Sequence, residues 1–364
     1  MFIMSKNQFD LITFGEIMLR LSPPRHERIT DGDIFEKRAG GAELNVASGV
    51  ALLGLRTGII SKLPANKLGT FLKNRIRFVG VSDDYLIYDE SPEARLGLYY
   101  YEMGAAPRKP TIVYDRKESS ATRIRLEEIP SEVYTSARMF HTSGISLAIC
   151  PQMRDVAIEL MKRFKEGGAL ISFDVNYRAN LWSEEESRET IKKILPLVDI
   201  LFVSEESSRR MFQKTGTLHE MMKSYCEEYG VKIVATTQRT VISPRKHNFT
   251  STIYSAENDT FYTERPYENI DVIDRIGSGD AYVGGVLFGL LKYGDPEQAM
   301  RFGNATSSVK NTIPGDLPGS DLHEIERIIQ EHNAVGPVSE LIPDALGQRA
   351  VEGQGASRLK GRVC

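Results

Sequence analysis

A regular alternation of short apolar runs with amphipathic stretches through the middle of the chain limits its fold more than any other feature. Residues 138–141, 169–174, 200–203 and 232–236 read as strands, and residues 155–166, 184–195 and 219–229 between them carry apolar side chains at helical spacing. Gly167-Gly168 ends the first of these helices and Gly230 caps the third. Parallel strands need a crossover element between them, so this order predicts an α/β fold: a central, mostly parallel sheet with helices on both faces.

Toward the N-terminus, residues 11–14 read as a first buried strand ending at Gly15, and residues 58–62 as the next one. Between them, residues 42–55 are apolar almost all round and predict a buried helix. Residues 94–102 and 111–116 are rich in β-branched and aromatic types, with Gly104 and Pro107 breaking the chain between them. They predict an antiparallel pair that interrupts the alternation and forms a small separate sheet. Residues 250–263 add antiparallel strands, and helices close the chain. From about residue 341 the sequence is polar, Gly-rich and aperiodic, so 341–364 is expected to be a disordered tail.

The bulk numbers exclude several functions. The chain has 364 residues and a formal net charge of -3, so no basic surface points to nucleic acid. Cys150, Cys226 and Cys364 are widely spaced and form no C-x-x-C pair, which argues against a zinc site or a disulfide framework. No run of eighteen apolar residues and no signal-like N-terminus occurs. A cytoplasmic protein with no membrane partner is expected.

The chemistry concentrates at Asp274-Arg275-Ile276-Gly277-Ser278-Gly279-Asp280, followed at once by an apolar run. Two close glycines let a backbone turn tightly and present its N–H groups. The run after them predicts a helix, whose N-terminus favours an anion. A carboxylate at Asp280 repels a phosphate, but it suits a base that takes a proton from an attacking hydroxyl. A Walker A loop is excluded, because no Gly-Lys dipeptide exists. The dinucleotide fingerprint is excluded too, because Tyr282 stands where its third glycine belongs. His141, ending a strand, reads as packing. A second glycine turn, Gly40-Gly41 with Asn45 close behind, precedes the first predicted helix. Both turns belong near the carboxyl ends of strands, where open parallel sheets bind ligands.

The two turns carry a resemblance. Gly40-Gly41-Ala-Glu-Leu-Asn45-Val-Ala47 through Leu53-Gly54 resembles the first signature of the ribokinase-like (PfkB) carbohydrate kinases, and Asp274 to Asp280 resembles their second. The match spans roughly residues 9–329. It narrows toward the 2-keto-3-deoxygluconate kinases of that family through four blocks: residues 14–24, Tyr114-Asp-Arg116, Asp174-Val-Asn-Tyr-Arg178 onward to Trp182, and Lys310 to Asp316. The resemblance implies a ribokinase-like kinase domain over residues 1–335 with a β-sheet lid of strands around 31–38 and 94–118. It implies ATP with Mg²⁺ as cofactors, transfer of phosphate to an acid sugar, and a homo-oligomer formed through the lid sheet.

For the site, the resemblance implies Asp280 as base with Gly277, Ser278 and Gly279 receiving phosphoryl charge. Gly40, Gly41, Asn45, Tyr99, Tyr114, Arg116 and Arg178 are expected at the substrate, where two arginines suit a carboxylate. Ser204, Thr237, Arg239, Gly277, Gly279 and Asn304 are expected on the nucleotide side. One departure stands out: many relatives carry Asn-x-x-Glu where this chain has Ser204-Glu205-Glu206-Ser207. Glu205 is the expected stand-in on the metal side. Ribokinase- or fructokinase-like activity and a non-catalytic sugar or nucleotide sensor are the competing readings.

Overall fold

In the computed structural model, which describes residues 8–334, strand β1 (Phe9–Phe14) is buried at every position. A strand apolar on both faces belongs inside a covered parallel sheet. The chain then leaves that sheet: β2 (Met18–Ser22) and β3 (Glu36–Gly40) pair antiparallel, and β3 runs directly into helix α1 (Ala42–Leu52). It returns through β4 (Thr57–Pro64), α2 (Lys67–Phe78), β5 (Val81–Ser82) and β6 (Leu86–Asp89). Next, β7 (Gly97–Glu102) and β8 (Thr111–Asp115) join the first excursion. The result is a four-stranded sheet ordered β3-β2-β7-β8, standing off the main sheet.

The alternation read from the sequence follows as β9 (Ala137–Ser143), α3 (Gly144–Ala148), α4 (Pro151–Glu166), β10 (Leu170–Asp174), α5 (Glu184–Ile194), β11 (Ile200–Phe202), α6 (Glu205–Arg210), α7 (Leu218–Tyr229) and β12 (Ile233–Ser243). Strands β13 (Lys246–Ser255), β14 (Thr260–Thr263) and β15 (Tyr267–Asp271) extend it antiparallel. Helices α8 (Ser278–Tyr293), α9 (Pro296–Lys310) and α10 (Leu322–Ala334) complete the described chain. The main sheet runs β14-β13-β12-β11-β10-β9-β1-β4-β5, with every pair from β12 through β5 parallel.

Strand periodicity divides the core in two. Ile12, Phe140, Ile171 and Leu201 face the helix α4 side, with Leu160 and Phe164. Their neighbours Leu11, Met139, Ile200 and Phe202 face α1 and α8, with Val46, Val283 and Val286. Each such side chain contributes roughly 1.5–3 kcal/mol on burial. Both faces are therefore covered, and the carboxyl ends of β1, β9, β10 and β11 point to the edge where the small sheet stands.

The structure corrects some boundaries. The lid strand expected around 31–38 begins at Glu36 and continues through Gly40. Strand β2 was not anticipated, because Arg20 interrupts its apolar pattern; that arginine is buried through ion pairs. The helix expected over 42–55 stops at Leu52, and the chain turns at Gly54 with φ +97°. The tail over 341–364 lies outside the described residues. Among the described residues no helix is long and apolar enough to cross a membrane.

Candidate active site

Two cavities meet at the carboxyl ends of the parallel strands. One, of about 440 Å³, lies beyond β10, β11 and β12 and is lined by Asp174, Ser204, Glu206, Thr237 and Tyr282, among others. The other, of about 360 Å³, lies under the small sheet and is lined by Gly41, Asn45, Tyr99, Tyr114, Arg116, Arg178, Arg239, Arg275 and Asp280. Asp174, Asn176 and Gly279 line both.

The glycine turns are where they are because a side chain would not fit. Gly277 caps α8 at φ +80°, and a Cβ there would lie 2.1 Å from the Asp316 carbonyl oxygen. Gly41 caps α1 at φ +138°, and its Cβ would lie 2.4 Å from the Glu16 carbonyl oxygen. At Gly40 a Cβ would meet the Asp316 carboxylate. Gly279 differs: a Cβ there meets nothing within 4 Å, because it opens on the junction of the cavities. In the turn itself the Ser278 N–H already donates to the Arg275 carbonyl at 3.2 Å. The Gly277 and Gly279 N–H groups make no backbone hydrogen bond among the described residues and remain available to an anion.

Asp280 sits in the first turn of α8, and Asn45 Nδ2 from α1 donates to its Oδ2 at 2.7 Å. Burial raises its pKa to about 6, against the opposing pulls of Asn45 and Arg178. Asp174, ending β10, is raised to about 7, first by burial and then by the Asp280 charge. Two half-buried carboxylates thus face one junction, with the lower value on the residue that a base requires. Activity that depends on ionised Asp280 is expected to fall as pH drops through about 6, since the raised group takes up its proton there. A profile of kcat/KM against pH checks this: an acidic limb near 6 is expected, and a limb confined to the ordinary aspartate range near 4 would contradict it.

The lid-side residues come together, but not all are free. The Arg178 side chain makes no ion pair or hydrogen bond with any described residue, although its charge acts on the Asp174 and Asp280 carboxylates across the cavity. Arg116 is held by Glu16, with Nε at 2.8 Å from Oε2. The Tyr99 hydroxyl donates to Asp316 and its ring lies 5.8 Å from that of Tyr114. Beneath them is a cluster that sequence reasoning did not assemble. Arg20 pairs with Asp274 at 2.6 Å and Asp316 at 2.8 Å, and the Lys310 ammonium donates to the carbonyls of Asp274 and Ile313. These charged residues sit 296 positions apart at the extreme, and only the conspicuous charges in the 310–316 block hinted at them.

The nucleotide-side expectations divide. Thr237 and Ser204 line the strand-end cavity, with Ser204 Oγ capping α6 through the Ser207 N–H at 3.0 Å. Arg239, two residues beyond Thr237, lines the lid-side cavity instead. Asn304 lines neither: it is fully buried and donates to Glu264 Oε1 at 2.7 Å. Glu205 lines neither as well, because the helical phase of α6 turns it onto an exposed face against Arg209 at 2.7 Å. Glu206 is the glutamate of the pair that reaches the cavity. Among the described residues no three His, Cys, Asp or Glu side chains gather as a metal site. His141 is buried against Ser172 Oγ at 2.9 Å, and burial holds its imidazole neutral, with a pKa lowered to about 3.

Comparison with known proteins places this geometry. The profile of one family, described as pfkB family carbohydrate kinase, matches residues 8–319. A 2-dehydro-3-deoxygalactonokinase of Haloferax volcanii is 34% identical over 325 residues, covering 89% of this chain and 98% of its own. A solved 2-dehydro-3-deoxygluconokinase of Thermotoga maritima shares the fold with a TM-score of 0.84 at 33% identity, covering 89% of this chain and 99% of that one. A ribokinase II structure from E. coli matches with a TM-score of 0.76 at 22% identity over 89% of this chain and 100% of that one, a likeness of fold. The architecture is ribokinase-like.

Proposed function

The chain belongs to the PfkB family of carbohydrate kinases, and from that premise we propose that it transfers the γ-phosphoryl group of ATP to the terminal hydroxyl of a 2-keto-3-deoxy sugar acid. The observation that carries this reading is the junction itself. Asp280 and the free N–H groups of the glycine turn stand where two cavities meet, and Arg178 lines the lid-side one with its side chain in no ion pair among the described residues. The gluconate- and galactonate-derived substrates named for relatives differ at one stereocentre, and both are acids. Arg178 is exposed at this wall, so its guanidinium is open to a substrate carboxylate, for which a neutral sugar offers no equivalent group.

Asp280 accepts the proton of the terminal hydroxyl, with Asn45 fixing the carboxylate's orientation. The oxygen then attacks the γ-phosphorus in line as the bond from that phosphorus to the β-phosphate oxygen breaks and ADP leaves. The N–H groups of Gly277 and Gly279, backed by the N-terminal dipole of α8, receive the charge on the transferring group. Tyr99 and Tyr114, on β7 and β8, cover the sugar and exclude water. Arg178 holds the carboxylate, and Arg116, already tied to Glu16, shapes the wall beside it. The β8 edge exposes Ile112, Val113 and Tyr114, which supports assembly of copies through the lid.

The donor set suits Mg²⁺ arriving with ATP. Asp174, Glu184 and Glu206 line the strand-end cavity, the two glutamates already paired with Arg210, which suits a cation that keeps several waters and arrives with its phosphates. When bound it would neutralise phosphate charge.

An ADP-release assay with 2-keto-3-deoxygluconate, its galactonate epimer, ribose and fructose tests the reading. Turnover of the acids and little of the neutral sugars is expected; turnover of a neutral sugar alone would sink it. Arg178→Ala is expected to raise KM for the acid about tenfold or more with kcat less affected, as for a lost charge-assisted contact. An unchanged KM would remove Arg178 from the substrate.

A further inference from the structure

Lys310, the last residue of α9, is 1% exposed and lines neither cavity of the site. Its ammonium donates to two backbone carbonyls, Asp274 at 3.2 Å and Ile313 at 3.1 Å. Among the described residues it makes no ion pair; Asp274 and Asp316 take theirs from Arg20.

The two carbonyls belong to the segments that build the glycine turn. Asp274 opens it, and residues 275–280 line the lid-side cavity while Asp274 does not. Residues 311–316 back it. The Asn311 carbonyl accepts from the Ile273 and Asp274 N–H groups at 2.8 and 3.1 Å, the Gly315 N–H donates to Asp274 Oδ2 at 3.0 Å, and the Asp316 carbonyl stands behind Gly277. The lysine therefore grips the turn from the side away from the substrates.

A neutral donor would tie the same carbonyls at less cost, because a buried charge is expensive to desolvate. The charge adds a field that a neutral donor lacks. It stands behind N–H groups that have to receive phosphoryl charge. It also reaches the base: burial raises the pKa of Asp280, Asn45 and Arg178 pull it back, Asp316 adds to the rise, and Lys310 opposes it. Glu43 and Asp174 face Asp280 as further acidic groups. Lys310 itself is faced by Asp274, Asp316 and Asp280 and by the like charge of Arg20.

We propose that Lys310 is a positioning residue for phosphoryl transfer, a buried cation that holds the Asp274 end of the glycine turn and lends positive potential to the transferring group and to Asp280 without touching either substrate. This deepens the phosphotransfer reading above and rests on it.

Two variants test it. Lys310→Gln keeps N–H donors without the charge, and Lys310→Ala leaves room for a small amine. Rates are read as ADP release with MgATP and 2-keto-3-deoxygluconate, beside thermal midpoints. For Lys310→Gln, kcat is expected to fall about tenfold to a hundredfold, up to the worth of one oxyanion-hole donor, with KM for both substrates within about threefold. The acidic limb of its kcat/KM profile should move above about 6, because a charge that lowers the Asp280 pKa is gone. For Lys310→Ala, ammonium or methylammonium chloride should restore part of kcat, tetramethylammonium at the same concentration should not, and wild type should respond to none of them. A Lys310→Gln kcat within twofold of wild type, a limb that stays in place, a loss that no amine recovers, or failure of both variants to fold would each overturn the proposal and leave Lys310 a structural tie. A wild-type protein that phosphorylates none of the sugars would instead overturn the phosphotransfer reading itself.

Discussion

Replacing Asp280 with Asn is expected to lower kcat by about two to four orders of magnitude, the usual worth of a positioned base. Asn keeps the shape and can still meet Asn45, which donates to the native carboxylate at 2.7 Å. Binding of sugar and nucleotide should therefore persist, and KM for the acid should move little. The carboxyl that burial raises to about 6 is removed, so the residual activity should lose the part of the acidic limb that Asp280 contributes. Stopped-flow or steady-state kinetics of the purified variant measures all three. A kcat within tenfold of wild type would end the assignment of Asp280 as base.

The second large effect is on stability. Arg20→Met should cost roughly 3–5 kcal/mol, because it strands two buried carboxylates that the guanidinium now pairs. Asp274 and Asp316 meet it at 2.6 and 2.8 Å, Ser22 Oγ accepts from its Nε at 2.8 Å, and its charge lies 4.3 Å from the centre of the Tyr101 ring. The deficit has a pH sign. Burial already raises the pKa of Asp316, and losing the Arg20 charge raises it further above its unfolded value. A carboxylate raised in this way is less destabilising once protonated, so the gap to wild type should narrow as pH falls. Urea unfolding at two pH values measures it. A loss below about 1 kcal/mol at neutral pH would mean that the network is solvated or that Lys310 compensates fully.

The same network marks the boundary of what was legible in the sequence. The glycine turns could be read because glycine is enforced locally: Gly277 and Gly41 have positive φ and backbone oxygens at their backs. The alternating middle could be read because strand and helix periods are properties of adjacent residues. Arg20, Asp274, Lys310 and Asp316 could not be joined that way, since each is an ordinary charged residue until the fold brings distant loops together. Helical phase hid a smaller matter. Glu205 and Glu206 are equivalent in the sequence, and only the start of α6 after its Ser204 cap turns Glu206 to the cavity and Glu205 to Arg209. Asn304 is the converse case: expected at the nucleotide, it lines neither cavity and donates to Glu264 Oε1, while its own Oδ1 has no partner among the described residues. Arg239 lay beside Thr237 in the sequence, and the two line different cavities because β12 spans the junction.

The central claim joins one base, one hydroxyl and one class of sugar, and phosphorus NMR of the reaction tests all of it together. With MgATP and either 2-keto-3-deoxygluconate or its galactonate epimer, the wild-type protein should produce a phosphomonoester coupled to the terminal CH₂ protons, one per ADP formed, and the Asp280→Asn variant should not on the same timescale. Ester formation on ribose or fructose but on neither acid, or ester formation undiminished in the variant, would contradict the account.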